Sequence, residues 1–315
     1  MPADYSQEPI LKVEHMKQYF KVSSSYTVKA VDDVSFDIYP GETYGLVGES
    51  GSGKTTVGRG IIRLYDPTDG RITFKGKDIT GKMDRETTNL LRTKMQMIFQ
   101  DPMASLNPRK KIGDIIGEGL DIHQMYSTQE ERKEKIDRIL AKVGLAAEHY
   151  DRYPYQFSGG QRQRVGIARA LIMNPELIIA DECISALDVS IQAQVVNLMK
   201  DIQEETGTAY LFIAHDLSMV KYISDRIGVL HLGRMLETGT TQEIFSNPMH
   251  PYTRSLLSAI PVPDPATEKE RIALEYHYET SGLNYDEGSL TLVGGSHYVH
   301  GTPQEIETWK RETQA

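Results

Sequence analysis

The chain has 315 residues, 39% of them apolar and 25% charged, which fits a folded globular protein with one large domain or one domain and an extension. A formal net charge of −9 disfavours broad attraction to DNA or anionic lipid, though it permits a local basic pocket. A single cysteine, Cys183, excludes an intramolecular disulfide framework and any metal or iron–sulfur site built on several thiolates, and points to the reducing cytoplasm.

In chain order, residues 10–38 read as strands. Leu11 and Val13 alternate, Val28, Val31, Val34, Phe36 and Ile38 recur near period two, and Ser23-Ser24-Ser25 makes a turn between them. Pro40-Gly41 ends that sheet. Thr43 to Val47 is a short strand, followed by a glycine-rich loop and a helical stretch from Lys54 to Leu64. Residues 127–144 carry the clearest helix: Thr128-Gln129-Glu130-Glu131 matches a capping box, Ile136, Ile139, Leu140 and Val143 share one face, and Gly144 closes the end. Arg162 to Met173 is again helical, while Leu177 to Ala180 and Tyr210 to Ala214 are short apolar runs suited to buried parallel strands. The class is α/β with a helical insertion. Pro261, Pro263 and Pro265 mark a boundary, and the polar, mixed tail to Ala315 is expected to hold only weak structure. No run approaches the roughly 18 apolar residues that span a bilayer, and residues 1–8 lack a signal peptide's basic start and apolar stretch. Action at a membrane would therefore call for a partner.

Gly48-Glu49-Ser50-Gly51-Ser52-Gly53-Lys54-Thr55 matches G-x-x-x-x-G-K-[ST] between a strand and a helix. The glycines Gly48, Gly51 and Gly53 let backbone N–H groups converge on phosphate oxygens, and the helix N-terminus adds its partial positive charge. Lys54 reaches the β and γ phosphates, Thr55 offers a hydroxyl to Mg²⁺, and Ser50, Ser52 and Thr56 complete the phosphate-binding set. Asp181 and Glu182 end an apolar strand, where the carboxyl end of a parallel sheet opens onto its ligand crevice. Asp181 suits the metal shell and Glu182 a base for the attacking water; taken alone, the pair also reads as an acidic cap after a buried strand. Ser158-Gly159-Gly160-Gln161 opens another helix and makes a second anion-binding end, although a lone Ser-Gly-Gly is more often a simple cap.

Ser158-Gly159-Gly160-Gln161, lying 23 residues before Asp181, resembles the signature segment of ABC-type ATPases. Gln100, within Gln96 to Pro102, resembles that family's Q-loop glutamine. Ser185-Ala186-Leu187-Asp188 resembles its D-loop, represented by Ser185 and Asp188, and His215 resembles the switch histidine that contacts the γ-phosphate. The resemblance implies a P-loop NTPase-type ABC nucleotide-binding domain over residues 10–248. Its parts would be an antiparallel β subdomain, a RecA-like core and a helical subdomain at about 101–157, with a short C-terminal extension at 249–315. It implies ATP hydrolysis with Mg²⁺ held by Thr55, Gln100 and Asp181, and with Glu182, His215 and Gln100 at the γ-phosphate. It also implies that two such domains dimerise head to tail, so that Ser158, Gly159, Gly160 and Gln161 close the partner's ATP site. An aromatic near the N-terminus should stack on adenine; Phe20 and Tyr19 are favoured over Tyr26.

Gln100 to Arg109, Asn247 to Arg254 and Leu257 to Pro261 narrow the resemblance to the oligopeptide and dipeptide importer ATPases, and within them to the F-type subunit. This implies a D-type ATPase as heterodimer partner, two permease subunits, an extracytoplasmic peptide-binding protein, no nucleic acid, and a peripheral place on the cytoplasmic face of the cell membrane. The chain departs from the family at Cys183, where proline is usual, and in lacking the C-terminal cysteines associated with an iron–sulfur cluster in many relatives, so that cluster is not expected here. A soluble ABC ATPase acting on nucleic acid or the ribosome, and an ATP sensor that does not hydrolyse, are the rival readings.

Overall fold

The computed structural model describes residues 3, 5–261 and 273–314. The alternation over residues 10–38 becomes two long strands, β1 (Leu11–Lys21) and β2 (Thr27–Ile38), paired antiparallel from Leu11 opposite Ile38 to Lys21 opposite Thr27. β3 (Thr43–Val47) leads through the glycine-rich loop into α1 (Lys54–Ile61). β4 (Asp69–Phe74) and β5 (Lys77–Asp78) complete a four-stranded antiparallel sheet in the order β2-β1-β4-β5.

The main sheet is built from β3, β6 (Met95–Ile98), β7 (Leu177–Asp181), β8 (Ala209–Ile213) and β9 (Arg226–His231), which run parallel in the order β9-β3-β8-β7-β6. Every residue of β3, β7 and β8 is buried, as continuous apolar strands covered on both faces must be. Alternate side chains serve different cores: Ile178, Ala180, Tyr210 and Phe212 face one, Leu177, Ile179, Leu211 and Ile213 the other. The second core includes Val57 and Ile61 of α1 and fills the space against the antiparallel sheet. The first extends into the helical insertion.

That insertion follows α2 (Arg85–Lys94) and β6, and holds α3 (Pro102–Ser105), α4 (Ile112–His123), α5 (Gln129–Lys142) and two short 3₁₀ turns before α6 (Gly159–Leu171). At the start of α5 the Thr128 hydroxyl accepts the Glu131 N–H at 3.2 Å as the capping box predicts. The Glu131 carboxylate instead accepts from Ser127 N–H at 2.7 Å, so the reciprocal arm closes one residue early. Ile136, Leu140 and Val143 of the expected face are fully buried and Ile139 partly so. α7 (Val189–Thr206) and α8 (Leu217–Ile223) then flank β8 in the chain.

The tail departs from expectation. Pro263 and Pro265 of the proline boundary lie outside the described residues. After β10 (Arg234–Thr240), α9 (Thr241–Ser246) and α10 (Pro251–Ser258), strands β11 (Ser289–Gly294) and β12 (His297–Gly301) form a hairpin through Gly295, whose φ is 55°. β12 pairs antiparallel with β10, Glu237 opposite Val299 and Thr238 opposite Tyr298. The described main sheet therefore has eight strands, β11-β12-β10-β9-β3-β8-β7-β6. A terminal helix, Pro303–Gln314, buries Ile306 and Trp309 against Met249 and Val299. The described part of the tail is ordered where only weak structure was expected, because the groups that anchor it are polar and distant in sequence. Fully buried Glu237 accepts the N–H groups of Met249 at 2.8 Å and His250 at 3.0 Å, and lies 2.6 Å from His297 Nε2. Among the described residues no helix is long and apolar enough to cross a membrane.

Candidate nucleotide site

The loop between β3 and α1 needs glycine at two points. Gly48 has φ 152°, and a Cβ there would lie 2.0 Å from the Leu230 carbonyl oxygen; Gly53 has φ 106°, and a Cβ there would lie 2.3 Å from that of Ala30. The loop is tied to its surroundings by Gly233 N–H donating to Ser52 O at 2.9 Å, and Asp32 N–H to Gly233 O at 2.8 Å. Lys54, nearly fully buried, directs its ammonium back into the loop, 2.8 Å from both Gly48 O and Glu49 O and 3.4 Å from Ser52 Oγ. Burial lowers its pKa, while the carboxylates of Glu182 and Asp181 oppose that shift.

A cavity of about 430 Å³ lies over this loop, lined by Ser50, Gly51, Gly53, Lys54, Thr55 and Thr56, with Gln100 and Glu182 on one side and Val28, Lys29, Ala30 and Leu232 on the other. Gly48 and Ser52 shape the loop from beneath and do not line it.

At the carboxyl ends of the parallel strands the acidic residues meet the loop. Thr55 Oγ1 donates to Asp181 Oδ1 at 2.7 Å, and Asp181 is fully buried. Its other oxygen, Oδ2, has no hydrogen-bond partner, although Arg59 Nε stands 3.9 Å away. Burial raises the Asp181 pKa against the opposing pull of the Thr55 hydrogen bond and the Arg59 charge. A buried carboxylate oxygen without a partner beside a threonine hydroxyl is a hard-oxygen donor set that fits Mg²⁺, which takes one or two protein oxygens and completes its shell with phosphates and water. Among the described residues no three His, Cys, Asp or Glu side chains cluster as a self-sufficient metal site.

Glu182 follows in a left-handed conformation, φ 44°, with its N–H donating to Ile213 O at 2.9 Å. This turn swings the carboxylate across the strand ends. There Gln100 Nε2 donates to Glu182 Oε2 at 2.7 Å, and His215 Nδ1 lies 3.9 Å from the same oxygen. His215 is more than half exposed. Ser185 Oγ donates to Glu182 O at 2.9 Å, and Asp188 is the N-cap residue of α7. Cys183 is buried, and that burial pushes its thiol up to about 12, so it is an inert packing residue in the turn beside Glu182.

The other predicted residues are placed elsewhere. Ser158 and Gln161 cap α6 reciprocally, Ser158 Oγ accepting from Gln161 N–H at 3.3 Å and Gln161 Oε1 from Ser158 N–H at 3.0 Å. Gly160 lies against Ile191 of α7, where a Cβ would come within 2.7 Å of the isoleucine Cγ2. None of Ser158, Gly159, Gly160 and Gln161 lines the cavity of this chain. Neither Tyr19 nor Phe20 does either: the Tyr19 hydroxyl donates to Asp32, and Phe20 meets Tyr65 edge-on at 5.3 Å. Tyr26 stands exposed in the turn before β2. The apolar surface available to a base is instead Val28, Ala30 and Leu232, which the sequence reading did not single out. The one signal for Leu232 is its place in a Leu-Gly turn, where it adopts φ 47° and stays half exposed.

Residues 31–185 match the ABC transporter family, and residues 236–281 the C-terminal region of oligopeptide/dipeptide transporters. The oligopeptide transport ATP-binding protein OppF of Bacillus subtilis is 61% identical over 96% of this chain and 99% of its own length. The OppF of Streptococcus mutans is 52% identical over 98% and 99%, and the dipeptide transport ATP-binding protein DppF of Lactococcus lactis 51% over 96% and 97%. Among solved structures, the dimeric ATP-binding cassette MJ0796 bound to ADP and Pi superposes with a TM-score of 0.67 at 29% identity, covering 73% of this chain and 98% of that one. CbiO1 of Clostridium perfringens gives 0.66 at 28%, covering 76% and 92%. With a phosphate loop, an acidic strand end and a glutamine and histidine converging on one carboxylate, and with relatives matched from end to end, the chain belongs to the ABC transporter ATP-binding proteins of the oligopeptide and dipeptide transport family.

Proposed function

We infer that the chain binds and hydrolyses ATP as the nucleotide-binding subunit of a membrane importer of oligopeptides. The observation that carries the reading is the convergence of Gln100 and His215 on Glu182, which with Gln100 lines one edge of the phosphate-loop cavity, next to the Thr55–Asp181 pair. Phosphoryl transfer to water asks a protein mainly for positioning and charge neutralisation. Lys54 and the loop amides hold the phosphates. Thr55, Asp181 and Gln100 would hold Mg²⁺, which when bound would neutralise charge on the phosphate oxygens. Glu182 takes the proton of the attacking water, Gln100 holds the Glu182 carboxylate in place, and His215 reaches from the exposed side towards the γ-phosphate.

The ATPase domain spans residues 10–248 and the C-terminal extension 249–315; the match of residues 236–281 to the transporter C-terminal region supports an extension of this kind. Ser158 to Gln161 present a capped, outward-facing helix start away from this chain's own cavity, which suits closing the ATP site of a second ATPase subunit. That subunit is a D-type relative, and the pair acts beneath two permeases served by a peptide-binding protein, on the cytoplasmic face of the membrane. The helical insertion at about 101–157 is the surface through which closure pushes on the permeases. The naming of full-length relatives as oligopeptide transport proteins favours this reading over a soluble ATPase on nucleic acid or the ribosome.

Glu182→Gln tests it in the assembled complex. ATP binding should persist within about twofold while turnover falls at least about 100-fold, since the amide keeps the shape and removes the base. Undiminished hydrolysis would remove Glu182 from its role.

A further inference from the structure

The phosphate loop is held from an unexpected direction. Tyr252, the second residue of α10 and fully buried, accepts the backbone N–H of Glu49 on its hydroxyl at 2.9 Å. That N–H shares a peptide unit with the Gly48 carbonyl, whose oxygen accepts from Lys54 Nζ at 2.8 Å. One peptide plane of the loop is thus gripped at both ends, by the lysine inside the loop and by a tyrosine 203 residues further along the chain.

Tyr252 is itself held rigidly. The start of α10 hangs on Glu237 through Met249 N–H and His250 N–H, and His250 Nδ1 accepts the Tyr252 N–H at 3.1 Å. The Tyr252 ring stacks on His231, centroids 4.1 Å apart and planes 28° apart, and Tyr276 meets it edge-on at 5.5 Å. His231 Nδ1 lies 2.8 Å from the Tyr285 hydroxyl, and Tyr285 in turn is 2.9 Å from that of Tyr276. His231 directly precedes Leu232, which lines the nucleotide cavity, and Gly233, whose N–H holds Ser52 O. Burial raises the Tyr252 pKa, so the hydroxyl is a neutral acceptor at physiological pH.

Resting on the ATP-hydrolysing reading above, we propose that Tyr252 is a positioning residue for nucleotide binding. Its hydroxyl sets the Gly48–Glu49 peptide, and with it the direction in which Lys54 and the loop amides face the phosphates. The C-terminal extension is thereby a working part of the ATP site. Because the loop contacts phosphate in both the ground and transition states, losing the hydroxyl should weaken binding uniformly and leave the chemical step alone.

The test is Tyr252→Phe in the full chain assembled with its membrane partners, compared with Tyr276→Phe, which removes a hydroxyl from the same aromatic cluster without touching the loop. Tyr252→Phe should raise the KM and the Kd for ATP roughly three- to tenfold with kcat within about twofold, the effect of one lost hydrogen bond. Tyr276→Phe should leave KM within about twofold. A merely structural Tyr252 would lower yield and melting temperature while the folded fraction kept its KM. An unchanged KM in Tyr252→Phe, or an equal rise in both variants, overturns the proposal. Should Tyr252→Phe not fold, amide exchange on the unaltered chain decides: the Glu49 N–H should be protected without nucleotide, and exchange at an unprotected loop rate overturns the proposal. Absence of turnover in the unaltered complex would instead refute the ATPase reading and leave the binding comparison intact.

Discussion

Replacing Glu237 by Ala removes the anchor that joins the tail to the main sheet. Glu237 is fully buried on β10, and its carboxylate serves Met249 N–H, His250 N–H and His297 Nε2 within 3.0 Å. The substitution leaves two backbone donors and one imidazole unpaired in a site closed to water. A buried donor stripped of its acceptor costs about 1–3 kcal/mol, so three give roughly 3–6 kcal/mol after partial relaxation. For a chain of this size each kcal/mol is worth about 2 °C, which places the loss in melting temperature at roughly 6–12 °C. Glu237→Gln, equal in volume, keeps one acceptor oxygen but turns an NH₂ towards donors, and should fall between wild type and the alanine variant. Thermal unfolding measures the size of the effect and limited proteolysis its location, with cleavage in residues 249–314 preceding cleavage elsewhere. A melting shift under about 2 °C with an equally resistant tail would show that the three hydrogen bonds do not hold the tail, and the reasoning would fail.

Two further perturbations bear on the site and its support. Gly53→Ala should weaken ATP binding more than about tenfold and cost about 2 kcal/mol or more, because φ 106° is strained for alanine and the new Cβ meets backbone at Ala30 O; isothermal titration and urea unfolding measure the two losses. Burial holds His231 at about 4 and His250 at about 3, repulsion from His300, His231 and Arg254 when they are charged adding to the depression of His250 and the Glu279 charge opposing that of His231. Both are neutral in the fold and near 6.5 when unfolded, so as pH falls below about 6.5 the unfolded chain binds protons that the folded chain does not, and stability drops. The stabilisation is complete above about 6.5 and should fade progressively down to about 3, by about 1 kcal/mol per histidine at pH 5.5. Urea midpoints at pH 7.5 and 5.5 should show this loss, and His231→Gln should reduce it by about half; equal pH dependence in the variant would contradict the assignment.

The parts of the site legible in the sequence are those whose chemistry demands adjacent residues. Gly48 to Thr55 form one continuous loop, and Asp181 and Glu182 end one buried strand, so local pattern and function coincide. Gln100 and His215 became legible only through resemblance, because their meeting at Glu182 depends on β6, β7 and β8 lying side by side. The apolar side of the cavity was not legible. It is assembled from Val28 and Ala30 of β2 and from Leu232, about 200 residues away, while the aromatic residues that attract notice, Tyr19 and Phe20, are engaged with Asp32 and Tyr65. The tail was missed for a related reason. Strands such as Ser289–Gly294 are short and bury none of their residues, and the hairpin is tied to the sheet by buried Glu237, 60 residues from its partner His297.

The antiparallel pairing of β12 with β10 also bears on how the chain can be divided. A protein ended at residue 248 would keep the phosphate loop and the residues around Glu182, yet it would bare the flank of β10 at Glu237 and Thr238 and uncover the apolar shelf of the core into which Tyr252 and Tyr285 pack. An exposed strand flank beside an apolar shelf is a template for pairing with another chain. The hairpin covers that flank in the folded chain, and a chain shortened at residue 248 should precipitate or self-associate before its hydrolysis can be measured.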